Sequence, residues 1–166
     1  MDPIVEAYLK KHEIQYVYHT HPAVFTCEEA RIHCKHVPGL ACKNLLLRDK
    51  DNKGSTRGFY LVIMPAEKRL QMSLLQQKFG AKKLRFAKPE ELMELMKLEP
   101  GSVSPMGLIN DKEHQIIVLI DQEIWNAEIV SFHPNVNTAS LEMKKEMFHK
   151  LMATFQNERS VINIQV

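Results

Sequence analysis

Between a helical pattern ending near Met96 and an apolar run starting at Leu108, the chain reads Pro100-Gly101-Ser102-Val103-Ser104-Pro105-Met106-Gly107, two glycines and two prolines in eight residues. Proline fixes φ and has no N–H, and glycine reaches φ > 0 without penalty, so no regular element is expected to run through this stretch. The expectation is a stiff turn whose remaining amides stay outside any ladder. Most Gly/Pro clusters simply connect two elements. Amides on a rigid turn can also be aimed at an anion or a carbonyl oxygen. That second reading gains weight from two other stretches, Lys43-Asn44 upstream and Phe132-His133-Pro134-Asn135 with Asn137-Thr138 downstream.

Length and charge narrow the function classes. A chain of 166 residues with 45% hydrophobic content fits a single domain, 1–166, around one core. Lys+Arg at 22 against Asp+Glu at 20 is too balanced to coat a long stretch of nucleic acid, although contact with one RNA end stays open. Met1-Asp2-Pro3-Ile4 lacks a basic n-region followed by an apolar one, and no apolar run approaches the ~20 residues of a membrane span. The chain therefore reads as soluble and cytoplasmic. Cys27, Cys34 and Cys42 are odd in number and match no zinc clip, which suits a reducing compartment without disulfides. His19, His21, His33 and His36 lie near them, but no H-E-x-x-H or C-x-x-C spacing is present, so neither metal nor cofactor is expected.

Along the chain, Asp2 caps a helix with Pro3 at its first position and Ile4, Val5, Tyr8 and Leu9 on one face. Ile14 to Tyr18 reads as a strand broken by His19-Thr20-His21-Pro22. Thr26 and Glu29 form a capping box for a helix reaching about His36. Leu40 to Arg48 is a strand, then a charged connection over 49–58 that reads as an exposed, mobile loop, then a strand from Phe59 to Met64. Within the first strand a lone Lys43 snorkels from an edge by default. Pointed into a cleft, it supplies a point charge for phosphate or carboxylate. Ser73 with Gln76 offers a second capping box, and Gly80 a helix stop. Lys82, Lys83, Arg85 and Lys88 surround a short strand, Leu84 to Phe86, as the densest basic patch, where an RNA end could rest. Pro89 opens a helix that buries Leu92, Met93, Leu95 and Met96. Leu108-Ile109 and Gln115 to Ile120 read as a strand pair. Asp121 starts a short helix carrying Trp125, and Glu128 to Phe132 is a strand. Residues 141–155 form an amphipathic helix, and Val161 to Val166 a last edge strand. Strands interrupted by helices at uneven intervals favour α+β: a mixed, mostly antiparallel sheet curled into a partial barrel with helices outside.

Four stretches in order, His21-Pro22-Ala23-Val24-Phe25-Thr26 with Glu28-Glu29-Ala30, Cys42-Lys43-Asn44-Leu45, Gly101 to Pro105 with Gly107 to Asn110, and Phe132-His133-Pro134 with Asn137-Thr138, resemble the YbaK-like, prolyl-tRNA synthetase-associated domain family, and within it the free-standing alanyl-tRNA(Pro) deacylases. The resemblance implies a metal-independent hydrolase that removes alanine wrongly attached to tRNA(Pro), with the tRNA(Pro) acceptor end as partner, prolyl-tRNA synthetase as a further one, and no membrane. It implies that Lys43 holds the phosphate or ribose of the terminal adenosine, with Asn44 beside it. Gly101, Ser102, Val103, Ser104 and Pro105 would position the ester carbonyl through backbone amides, and His133 would orient the aminoacyl group or brace the wall. Thr26, Met106, Gly107 and Asn137 complete the substrate-binding set. Met106 stands where the family often carries phenylalanine and Cys27 where valine is usual, departures that would reshape the pocket, and the family also contains members that clear cysteine from tRNA(Pro), so Cys-tRNA(Pro) is the alternative substrate. No Ser-His or Cys-His pair is legible, so a bound water is the expected nucleophile. A non-catalytic module binding tRNA or synthetase is the reading from another class, and a metal-dependent hydrolase a third.

Overall fold

The computed structural model describes residues 1–50 and 56–164. Its spine is an antiparallel pair, β2 (Leu40–Lys50) with β3 (Thr56–Pro65). Around them stand β1 (Val17–Thr20), β4 (Leu84–Phe86), β5 (Ile116–Asp121), β6 (Ile129–Phe132), β7 (Ala139–Lys144) and β8 (Arg159–Ile162). The eight strands form one sheet in the order β1-β7-β6-β2-β3-β5-β8, with β4 also paired to β2. Four of its pairings are antiparallel, while β2 with β6, β3 with β5 and β5 with β8 run parallel. The helices are α1 (Pro3–Lys11), α2 (Cys27–His33), α3 (Met72–Phe79), α4 (Pro89–Met96), α5 (Gln122–Asn126) and α6 (Lys145–Thr154), with a 3-10 helix over Pro105–Asn110. The mixed, mostly antiparallel α+β architecture is the expected one.

The central strands read as continuous apolar runs because both of their faces are covered. Along β3, Leu61 and Ile63 point into the larger cluster with Val5, Leu9, Met96, Met106 and Phe148, while Val62 and Met64 point into a smaller one with Leu75, Leu84 and Ile162. All four β3 residues are fully buried. Each such side chain contributes about 1.5–3 kcal/mol relative to exposure.

Several boundaries differ from the sequence expectation, each for a physical reason. The first strand starts at Val17 and continues through His19 and Thr20, because those residues pair with Ser140 and Ala139 of β7. Ile14 instead closes α1, its amide donating to the Leu9 carbonyl. In α1, Val5 and Leu9 are buried but Ile4 is exposed. The Thr26–Glu29 capping box is present, yet α2 ends at His33. Ser73 caps nothing: α3 begins at Met72 after Gln71, and the Gln76 carboxamide oxygen accepts from the Leu84 amide. Gly80 ends α3 in the left-handed region as expected, whereas Met93 of α4 is exposed.

Two differences are larger. Leu108-Ile109 lie in the 3-10 helix, which begins inside the stretch expected to hold no regular element. Ser104 caps it and Pro105 occupies its first position, a start signal that the glycines masked. The chain then turns on Asp111, whose carboxylate accepts from the amides of Gln115 and Ile116. The expected helix over 141–155 is a strand, β7, followed by α6. Ala139, Leu141 and Met143 are buried at strand period before the helical period takes over. The last strand is β8, paired in parallel with β5; residues 165–166 of its expected span, and residues 51–55 of the charged connection, lie outside the described residues.

Candidate functional site

Strands β2 and β6 pair only at Leu40 with Val130 and Ala41 with Ser131. Beside that short pairing a cavity of about 580 Å³ opens, lined by Ala41 to Leu46 of β2, Ser131 and Phe132 at the end of β6, His133 just after it, and Ser140 of β7. The segment from Val24 through α2 supplies another wall, Pro100, Gly101 and Val103 of the turn a third, and Phe86, Ala87, Pro89 and Leu92 with Ala66 and Glu67 complete the lining. The volume suits a small ligand group held in a partly enclosed cleft.

Of the residues singled out in the sequence, Lys43, Asn44, Thr26, Gly101, Val103 and His133 line this cavity. Ser102, Ser104, Pro105, Met106, Gly107 and Asn137 do not. Met106 and Gly107 are packed in the core, where a Cβ on Gly107 would come within 2.5 Å of the Met96 side chain. Ser104 is fully buried, and its hydroxyl accepts from the Met106 amide at 3.1 Å. Asn137 acts through its backbone: its carbonyl accepts from the Val24 amide and ties the 21–24 segment down beside the cavity. The Thr26 hydroxyl accepts from the Glu29 amide at the start of α2.

The groups that do converge have spare bonding capacity. Lys43 donates from Nζ to the carbonyl of Lys68, which leaves two of its three ammonium protons for a ligand. Lys68 is itself fixed by Glu123 at 2.9 Å and Asp121 at 3.2 Å, and the Glu123 and Asp121 contacts hold its amine above the usual lysine range. Asn44 is buried and its Oδ1 has no hydrogen-bond partner among the described residues. An orphaned acceptor of that kind, enclosed by protein, carries a penalty of about 1–3 kcal/mol. Buried side-chain atoms of Arg48, Asn135 and Asn157 also lack partners, but those residues do not line the cavity. At the turn, the Ser102 amide donates to the Glu99 carbonyl, whereas the Gly101 and Val103 amides find no acceptor among the described residues. Gly101 holds φ at +91°, the left-handed region that favours glycine.

His133 Nδ1 lies 2.8 Å from the Ala139 carbonyl, so that nitrogen carries the proton and Nε2 is left as an acceptor. Burial pushes its pKa below the ordinary histidine value, and the neighbouring His21 adds to this, against the opposing bond to Ala139. The ring is therefore neutral near pH 7. His21 Nε2 in turn sits 3.0 Å from Ser140 Oγ, and its Nδ1 sits 2.8 Å from the Pro22 carbonyl. This is a serine–histidine contact at the cavity wall that sequence separation had hidden. All three cysteines line the cavity; burial pushes the Cys42 thiol up to about 12 and raises that of Cys34, so neither is a thiolate. No group of three or more His, Cys, Asp or Glu that could hold a metal ion exists among the described residues. No helix among them is long and apolar enough to cross a membrane.

Sequence reasoning missed Phe25, Phe86, Cys34 and Ser140 as wall residues. Phe86 carried a legible signal, an aromatic set between cations. Ser140 carried none, since only the β1–β7 pairing brings it near His21.

The site as built can hold an anion and polarise a carbonyl, and comparison with known proteins points the same way. Residues 21–151 match the family described as the aminoacyl-tRNA editing domain. The chain is 34% identical over 161 residues to the prolyl-tRNA editing protein ProX of Acetoanaerobium sticklandii, covering 96% of this chain and 95% of that one. It is 35% identical over 145 residues to the prolyl-tRNA synthetase associated domain-containing protein 1 of Xenopus laevis, covering 86% and 84%. Among solved structures, a candidate trans-editing enzyme for prolyl tRNA synthetase superposes with a TM-score of 0.70 at 19% identity over 98% of both chains, a likeness of fold.

Proposed function

Since this chain belongs to the aminoacyl-tRNA editing domain family, we propose that it is a trans-editing hydrolase that removes a wrongly attached small amino acid, alanine foremost, from tRNA(Pro). One observation carries the reading: a single cavity gathers an ammonium, two unpaired amides and a neutral imidazole from three separate segments. Lys43 holds the phosphate or ribose of the terminal nucleotide. The Gly101 and Val103 amides receive the ester carbonyl and stabilise the negative charge that develops on it. Asn44 stands beside Lys43 in the same wall. His133 Nε2 accepts from a ribose hydroxyl or the attacking water and fixes its direction.

In the reaction, water adds to the ester carbonyl, the carbon–oxygen bond to the ribose breaks, and the ribose oxygen takes the proton that water loses. The products are free amino acid and uncharged tRNA. This chemistry uses water and protein donors alone, and insensitivity to a chelator is its expected behaviour. A synthetase pocket built for proline gains only ~1–3 kcal/mol per missing methylene against alanine, so a second, smaller site is the physical remedy. The acceptor end of tRNA(Pro) is the partner, and prolyl-tRNA synthetase the protein that would deliver it.

The test is to incubate the protein with Ala-, Cys- and Pro-charged tRNA(Pro) and measure loss of each ester. Ala-tRNA(Pro) is expected to disappear, Pro-tRNA(Pro) to survive, and Lys43→Ala to slow the loss by roughly 100-fold or more. Preferred loss of Cys-tRNA(Pro) would change the substrate to the alternative. Tight, salt-sensitive binding with no amino acid released would make the chain a tRNA-binding module instead. The Ser140–His21 contact supports a second mechanism for the same reaction: Ser140 Oγ attacks the carbonyl while His21 takes its proton, the bond to the ribose oxygen breaks and that oxygen receives the proton from His21, and water then cleaves the acyl-serine, releasing the amino acid and restoring the hydroxyl. A Ser140→Ala protein that retains activity excludes it.

A further inference from the structure

Two large aromatic side chains stand at the rim of the cavity with most of their surface in water. Phe25 is 68% exposed and Phe86 58%, and both line the cavity. Their backbones are anchored. The Phe25 amide donates to Glu29 Oε2 at 2.6 Å, and that bond leads the set that holds the Glu29 carboxyl below its ordinary range. Phe86 pairs with Leu47 across β4 and β2, and the next amide, Ala87, donates to the Leu46 carbonyl at 2.9 Å. Anchored backbone on both sides keeps the two rings at the opening, where a solitary domain gains nothing from exposing them.

The surroundings of Phe86 identify what would cover it. Lys82, Lys83, Arg85 and Lys88 are all exposed along β4 and its flanks. Arg48 foremost, then desolvation, Lys88 and Lys83 press the Lys50 amine below the usual lysine range against the opposing pull of Glu91. A ligand that offers flat π-faces and regularly spaced negative charge satisfies both features at once. An unpaired polynucleotide has that chemistry, because each base stacks on an aromatic ring and each phosphate meets a cation.

We propose that Phe86, with Phe25 lining the same cavity, stacks the unpaired bases at the 3′ end of an RNA, while the cations around β4 hold the phosphates of the preceding nucleotides. The inference rests on the editing function above and names the part of the substrate that these residues read. Stacking tolerates any base. The aromatic rim therefore supplies affinity and direction, and the choice of amino acid stays with the cavity.

The experiment uses the full chain and a short single-stranded oligoribonucleotide carrying 2-aminopurine in place of its 3′-terminal adenine, titrated by fluorescence. Wild type should quench the probe on binding. Phe86→Ala should weaken binding by about 5- to 100-fold, Phe86→Leu nearly as much because it restores bulk without a π-face, and Phe86→Trp should bind as well as wild type. Lys83→Ala and Lys88→Ala should each lower the slope of log affinity against log salt by about 0.7. Unchanged quenching and affinity in both Phe86→Ala and Phe86→Leu would overturn the proposal. The phenylalanines are exposed, so the variants should melt with wild type. The probe carries no ester, which separates the two ideas: quenching without deacylation of any charged tRNA keeps the stacking rim and removes the editing function. Deacylation with an unchanged KM in Phe86→Ala does the reverse.

Discussion

The first half of the Pro100–Asn110 segment faces the cavity, and the second half is core. Pro100, Gly101 and Val103 line the cavity, whereas Ser104 through Leu108 are all buried. Both halves are written in the same glycine, proline and serine vocabulary, so composition does not separate them. The two glycines do. Gly101 sits at φ +91°, and a Cβ there would touch only Phe25, at an ordinary 3.6 Å. At Gly107 a Cβ would press to 2.5 Å from Met96 and 2.8 Å from Leu98. One glycine is needed for a backbone angle and the other for its lack of volume. A single motif thus holds a recognition edge on a packed footing.

If that division is right, the largest effects fall on the packed half and appear as stability. Met106→Ala removes a fully buried side chain and should cost about 2–5 kcal/mol in urea unfolding, with deacylation per folded molecule retained. Lost activity at unchanged stability would move Met106 into the site and erase the contrast. Gly107→Ala should cost about 1–3 kcal/mol by overpacking. Its counterpart, Gly101→Ala, bears roughly 1–2 kcal/mol of left-handed strain and should lose deacylation out of proportion to that. Gly101→Ala with full activity would end the role assigned to its amide.

A subtler cut falls at the junction. Ser104→Ala strips the cap from the 3-10 helix and leaves the Met106 amide buried without its acceptor, for about 0.5–2 kcal/mol. Because Val103 precedes the cap, a fall in activity larger than the fall in stability would show that the packed half steers the recognition edge. Equal falls would show that it only supports it.

How much of this was legible in the sequence follows from the range of the forces involved. Capping and Gly/Pro chemistry act within a few residues, so the Thr26–Glu29 box, the Asp121 start of α5 and the Gly80 stop could be read directly. Ser104-Pro105 was equally local and was missed because the adjacent glycines argued for a bare turn. Period alone could not divide 139–155, since Leu141 fits both a strand face and a helix face until β1 and β6 are known to pair with β7. At the site, Lys43 and Asn44 stood out as polar residues in an apolar run, and His133 through its motif. The Ser140–His21 contact spans 119 positions and has no local trace. The roles of Ser104, Met106 and Gly107 could not be told from those of Gly101 and Val103 before the core was in view.

The smallest predicted effect concerns His133 on the cavity side of the contrast. Burial, aided by His21, lowers its folded pKa, while in the unfolded chain an ordinary histidine titrates near about 6.5. Below that value the unfolded chain takes up a proton that the folded chain still refuses, so acid favours unfolding. The contribution of His133 to stability is therefore complete above about pH 6.5 and is lost as the pH falls through the lower, folded value. Urea midpoints measured between about pH 7.5 and pH 5 should fall more for wild type than for His133→Gln, which has no ring to protonate. Deacylation should fall in the same acid window, because a protonated Nε2 no longer accepts. If the two proteins share one pH slope for stability, the ring is not held neutral by burial, and its role as an acceptor in the cavity fails with it.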